Sequence, residues 1–283
     1  MMYRLFIPFM YMFHSRLKNT SETVQWFLTD IVPAFFICWY IASPHMGSLS
    51  VLAIFVLGIL ATYSVYEMGY IGNDVFTTSK EAMSPDRLSV EETAFCRSHY
   101  VGLIGVRIVV FSLAVGLIYL LAQSLGVTIS LVSFLVAMVL LRLIFLAHNT
   151  LRGRMTVFTF FGLAVFKYSS VLLLFQPFPV NLLPFLIGVT LFPLPRTLGV
   201  SNRPKYELPF MKTFVGDFYV FRVRYYILFF VLSLVAYGVW RHELLLLMVL
   251  LHGFYLLLRT GALLALKKNL YRRKGPLKIR INQ

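Results

Sequence analysis

The sequence predicts an all-α, polytopic bundle of transmembrane helices, and three observations predict it. Hydrophobic residues make up 59% of the 283 and charged residues only 13%, against roughly 25% charged in a soluble domain. Several apolar stretches reach the ~20 residues that cross a bilayer as a helix. Alternating strands of about ten residues, the mark of a membrane barrel, are absent. No low-complexity linker or short repeat divides the chain, so residues 1–283 read as a single integral membrane domain. Cys38 and Cys96 supply no disulfide or metal framework.

Taken in order, the first sixteen residues hold an apolar run broken by Pro8, with no small-residue cleavage site after it. That predicts a cytoplasmic or interfacial N-terminus over 1–23 rather than a signal peptide. Eight spans follow, at about 24–42, 49–72, 100–123, 127–147, 155–175, 178–195, 219–240 and 243–266. The sixth is the weakest, because Pro184, Pro193 and Pro195 interrupt it. The connections "SPHMGS", "AQSLGVT" and "QPFPVN" are short and carry no Lys or Arg, and "GVWRHE" carries Arg241 alone. The long connections are basic: the N-terminus, 73–99, 148–154, 196–218 and the tail 267–283. All of the 26 Lys and Arg residues except Arg241 then fall on one side or within spans. The positive-inside rule makes that side, and both termini, cytoplasmic. A bacterial inner membrane is the expected location. The tail "KKNLYRRKGPLKIR" abuts a membrane helix and reads as a binder of anionic lipid headgroups, about 1 kcal/mol per basic residue, not of nucleic acid.

Glu67, Arg107, Arg142, Lys167 and Arg259 lie within these spans. Each costs roughly 2.5–3.5 kcal/mol to insert and requires a partner or a wet cavity. At 1.5 Å per residue, all but Lys167 lie roughly 8–12 Å below the cytoplasmic ends, and Lys167 lies deeper. They read as structural ion pairs with snorkelling cations or as a polar layer beneath a cytoplasmic mouth. One acid against four bases leaves positive charge over, which an anionic ligand would balance. Tyr63, Glu67, Tyr70 and Asp74 recur at helical spacing and predict one shared face of the second span. His252, Tyr255 and Arg259 predict a second polar stripe on the last span.

Asn73-Asp74 at the end of the second span, followed by a polar loop with Pro85-Asp86-Arg87, resembles the first motif of the UbiA superfamily of intramembrane prenyltransferases. That resemblance implies a helical bundle of eight to nine spans holding a polyprenyl diphosphate through Mg²⁺ on two Asp-rich motifs. Asn73 and Asp74 align with the opening pair of the first motif. Thr77 and Glu81 stand where its second and third Asp are expected, and Arg87 matches the Arg that often follows. The second motif, Asp-x-x-x-Asp, is absent from the loop after the sixth span. That loop offers Asn202, Arg203, Lys205, Glu207 and Asp217 instead.

The resemblance implies Asp74 and Glu67 as catalytic acids, and Asp74 with Glu81 as ligands of Mg²⁺. It implies Asn73, Arg87, Arg142, Asn149, Lys167, Arg203, Lys205 and Arg259 as the phosphate-binding set. The expected partners are a polyprenyl phosphate or diphosphate, a phosphorylated co-substrate and membrane lipids. The expected activity is a cytosol-facing transfer, either of a prenyl group or of phosphoribose onto a polyprenyl phosphate. The thinned motif leaves two other classes open: a transporter or flippase for an anionic lipid or metabolite, and a non-catalytic UbiA-like membrane protein.

Overall fold

A computed structural model describes residues 2–77, 83–85, 87–151, 153–176, 181–268 and 279–281. Among them seven helices are long and apolar enough to cross a membrane. These are α2 (Thr20–Ala42), α3 (Ser48–Thr77), α5 (Tyr100–Leu125), α6 (Leu131–Thr150), α8 (Leu182–Ser201), α10 (Phe218–Trp240) and α11 (Glu243–Lys267). Short helices α1 (Met10–Ser15), α4 (Val90–Ser98) and α9 (Pro209–Val215) lie between them. The expected fifth span is α7, a 15-residue helix (Met155–Ser169) followed by a 3-10 turn over Val171–Phe175. At about 1.5 and 2.0 Å per residue the two together reach roughly 32 Å, enough for the hydrocarbon core. By itself α7 is too short to count among the seven long apolar helices.

The two ends of the bundle differ as the loops predict. At one end the Tyr40 hydroxyl donates to Glu243, the Trp39 indole to Ser48, and the Ser130 amide to the Leu174 carbonyl. This far end gathers the short loops. At the basic end Arg154 donates to the Glu207 carbonyl, and Arg87 reaches Asp74. Strands β1 (Met83–Pro85) and β2 (Ile279–Ile281) pair antiparallel, which joins the 73–99 loop to the C-terminal tail at this end.

Packing is close where residues are small. A Cβ on Gly69 of α3 would lie 2.4 Å from the Phe145 ring of α6, so only glycine admits that contact. Ile37, Ile54, Ala61, Phe134, Leu141, Ile187 and Leu191 form part of the shared core, while the outward faces of α5, α6 and α10 stay apolar and exposed.

The N-terminal segment is docked on the bundle. Residues 2–15 fold as a 3-10 turn and helix α1 that pack against the bundle, burying Leu5, Tyr11 and Met12. Left-handed backbone at Phe9 (φ 69°) turns its ring onto Tyr63, with centroids 5.0 Å apart. The fastening is the Glu67–Arg107 pair between α3 and α5, at 3.1 Å and fully buried. Glu67 also accepts the Met12 amide at 2.8 Å. Arg107 donates to the Leu5 and Phe6 carbonyls at 2.7 and 2.9 Å. Each member of the pair thus holds backbone that would otherwise be buried without partners.

Replacing Arg107 with Met should cost about 3–5 kcal/mol of stability, because it strands a buried carboxylate. Adding Glu67→Gln should recover part of that loss, since the amide still accepts from Met12 without a charge. Thermal melts of both variants in detergent check this; a double variant no more stable than Arg107→Met would remove the pair from its fastening role.

Candidate functional site

The acids of the basic end sit on unusual helix geometry. The terminal turn of α3, Asn73–Thr77, and the turn Phe27–Ile31 of α2 are both π-helical. A π turn inserts a residue and redirects the side chains after it, and such turns recur at functional sites. Asp74 lies on the first and Asp30 on the second.

Asp74 is 4% exposed and its carboxylate is heavily engaged. It accepts from the Tyr11 hydroxyl at 2.8 Å, Arg16 at 2.9 Å, Arg87 at 3.0 Å and Asn73 at 3.4 Å. Burial works against the Arg16 charge, but Asp74 outweighs it and holds the guanidinium above its ordinary pKa. Burial and then the Asp74 charge raise the Tyr11 phenol, so it stays a donor. Arg16 also lies 4.2 Å over the Tyr70 ring. The predicted face Tyr63–Glu67–Tyr70–Asp74 therefore exists, and the N-terminal segment covers it.

Deeper in the bundle, Lys167 pairs with Asp30 at 3.1 Å and lies over the Tyr63 and Tyr66 rings at 5.2 and 5.4 Å. Trp26 donates to the Tyr63 hydroxyl at 2.6 Å. Asp30 corrects the expectation of a single intramembrane acid: α2 carries a second one, and it neutralises the deepest base.

The stripe on α11 is also real. His252 is fully buried and bonds Ser233 of α10 and the Met248 carbonyl, joining the two helices. Tyr255 donates to the Thr29 carbonyl in the π turn of α2 and stacks on Tyr226. Arg259, 8% exposed, continues the stripe toward the basic end beneath three further arginines. Arg222 of α10 lies within electrostatic reach of Arg259 and Arg196. Arg203, exposed just past α8, lies within reach of Arg196 and Arg87.

The structure thus brings Asn73, Asp74 and Arg87 into contact. Electrostatic reach links them through Arg203 to Arg259, while Lys167 and Glu67 hold their own partners nearby. Arg142 stands half-buried beside the core stripe of α6, and among the described residues no carboxylate pairs with it. Asn149 is half-buried in the last turn of α6. Glu81 and the Lys205 side chain lie outside the described residues. Sequence reading missed Tyr11, Arg16, Asp30, Arg196 and Arg222. Asp30 and Arg222 fall inside predicted spans, and the rule that singled out Glu67 would have found them.

Magnesium requires carboxylate oxygens free to coordinate it. Asp74 already spends both of its oxygens on two guanidiniums and a phenol, and no group of three His, Cys, Asp or Glu side chains converges among the described residues. Asp74 is thus engaged by arginines, and Glu81, the other expected ligand, lies outside the described residues. No protein-family model, curated protein or solved structure matches the chain.

Cys96 of α4 packs with Leu5, Tyr11 and Leu103. Burial and then the Asp74 charge push its thiol up to about 11, so alkylation at pH 8 should be slow. Asp74→Asn releases Arg16 and Tyr11 and should speed Cys96 labelling roughly tenfold or more, by exposure and by a lower thiol pKa. Maleimide labelling in a Cys38→Ala background measures it; an unchanged rate would show that Asp74 does not hold the N-terminal segment down.

Proposed function

We propose that the protein is a UbiA-like membrane transferase acting on a polyprenyl phosphate or diphosphate at the cytosolic face. The observation that carries this reading is the charge imbalance of the basic end. Arg16, Arg87, Lys167, Arg196, Arg203, Arg222 and Arg259 gather in and around that layer, and among the described residues the acids ion-paired with them are Asp30 and Asp74. Arg259 is buried and Arg16, Arg87, Lys167 and Arg222 are half-buried, while Arg196 and Arg203 are exposed at the rim. Cations gathered in such excess at a membrane edge are costly unless an anion joins them, and guanidinium forks match phosphoryl oxygens. A phosphorylated isoprenoid would place its head in this layer and its chain among the apolar helices. The positive-inside pattern supports the cytosolic assignment of this end and of both termini.

Two transfers suit the layer. In prenyl transfer the acceptor's nucleophile bonds to the allylic carbon. The carbon–oxygen bond breaks, and its electron pair leaves on the diphosphate, whose charge the arginines stabilise. In phosphoribosyl-type transfer an oxygen of the polyprenyl phosphate bonds to the sugar carbon, and diphosphate again departs with the electron pair. The residues that hold the phosphate are shared by both.

Transport of an anionic lipid is the second reading, favoured by a cleft of about 600 Å³ at the far end, between Trp39, Tyr40, Gln176, Asn181 and Glu243. That cleft is lined by an acid and by no Lys or Arg, which suits an anion path poorly.

The test is ligand preference in nanodiscs. Farnesyl phosphate should bind at least about tenfold tighter than farnesol, a difference near 1.4 kcal/mol. Native mass spectrometry of freshly extracted protein should find polyprenyl phosphates enriched over bulk phospholipid. Equal affinity for the phosphate and the alcohol would remove the transferase reading.

A further inference from the structure

The arginines of the charge layer are not equivalent. Arg16 and Arg87 are satisfied by Asp74, Arg107 by Glu67, and Lys167 by Asp30. Arg196, Arg222 and Arg259 have no carboxylate partner among the described residues. What holds them instead is aromatic. Arg222 lies 3.9 Å over the Phe218 ring, Arg196 lies 5.1 Å over Phe192, and Arg259 lies 5.9 Å from the Tyr255 ring centre. The Phe218 ring is itself wedged against Gly199 of α8, where a Cβ would fall 2.1 Å from it. Three helices thus set three guanidiniums against aromatic rings, and Arg259 also hydrogen-bonds the Tyr226 hydroxyl. The Arg259 Nε is buried and has no hydrogen-bond partner.

A buried arginine with an idle donor, within reach of a second cation, is an arrangement that apo protein alone does not stabilise. We propose that Arg222 and Arg259, with Arg196 at the rim, form a metal-free cradle for the phosphoryl group of a phosphorylated isoprenoid. The proposal rests on the anionic-substrate reading above and assigns its head group to one place, between α8, α10 and α11 and not at the Asp74 motif. Asp74 then acts as a positioning residue for Arg16 and Arg87. Direct N–H···O bonds do the work that a cation bridge would otherwise do, because the fork supplies both charge and donors.

The test titrates farnesyl phosphate, and separately inorganic phosphate, against the full-length protein in nanodiscs. Wild type is compared with Arg222→Met, Arg259→Met and Arg259→Lys, each in EDTA and in Mg²⁺. Wild type should bind farnesyl phosphate equally well in both. Each Met variant should bind about ten- to hundredfold more weakly, and Arg259→Lys should fall between. Without ligand, Arg259→Met should melt at a higher temperature than wild type, since it deletes an uncompensated buried charge; a merely structural arginine would lower it. Wild-type affinity in the Met variants, or binding only with Mg²⁺, would overturn the cradle while leaving the proposed function intact. Failure of wild type to bind farnesyl phosphate at all would instead remove the proposed function. Inorganic phosphate binding as tightly as farnesyl phosphate, with the same arginine dependence, would overturn the lipid assignment.

Discussion

Everything at the basic end depends on the buried pair between Glu67 and Arg107. Two opposite charges at full burial are close to neutral in stability when compared with a well-packed apolar pair, so their presence calls for a reason beyond packing. The reason lies in what else they hold. Glu67 takes the Met12 amide, and Arg107 takes the carbonyls of Leu5 and Phe6. A segment of irregular backbone, unsuited to a membrane interior by itself, is thereby satisfied against two helices. Once it is docked, Tyr11 and Arg16 fall within reach of Asp74.

The cations divide into two populations. Those next to the N-terminal segment are matched by acids, and those between α8, α10 and α11 rest on aromatic rings. Pairing removes positive charge from one half of the layer and leaves it in the other. The field at the basic end is therefore lopsided, strongest on the side away from the Asn73-Asp74 motif. The Asn73-Asp74 motif therefore sits in the less charged half of that end.

Much of this was legible in the chain. The predicted 100–123 and 219–240 became Tyr100–Leu125 and Phe218–Trp240, because long apolar runs flanked by polar loops leave a helix little choice. The shared face of Tyr63, Glu67, Tyr70 and Asp74 followed from helical spacing alone, although the π turn at its end could not be read that way. Residues 2–15 were opaque for a physical reason. They form short turns with a left-handed Phe9, so no period repeats often enough to betray a buried face. Arg222 was legible as a charge within a predicted span, but its support by Phe218, like that of Arg196 by Phe192, depends on which helices meet, and residue type does not announce it.

The docking of residues 2–15 also imposes an order on biosynthesis. Leu5 and Phe6 have no receiver until Arg107 has been made and α5 has entered the bilayer beside α3. Roughly a hundred residues must therefore leave the ribosome while the first dozen wait at the membrane surface, their apolar side chains exposed to lipid headgroups or a chaperone. The strand pair extends the delay, since β1 meets its partner only when residues 279–281 are complete. At the far end the Ser130–Leu174 bond can close once α7 and the turn after it are made, whereas Tyr40 waits for Glu243 of α11. The basic end is stitched from residues 2–16, 67–107 and 279–281, so a nascent chain arrested before α11 would carry helices but no finished mouth.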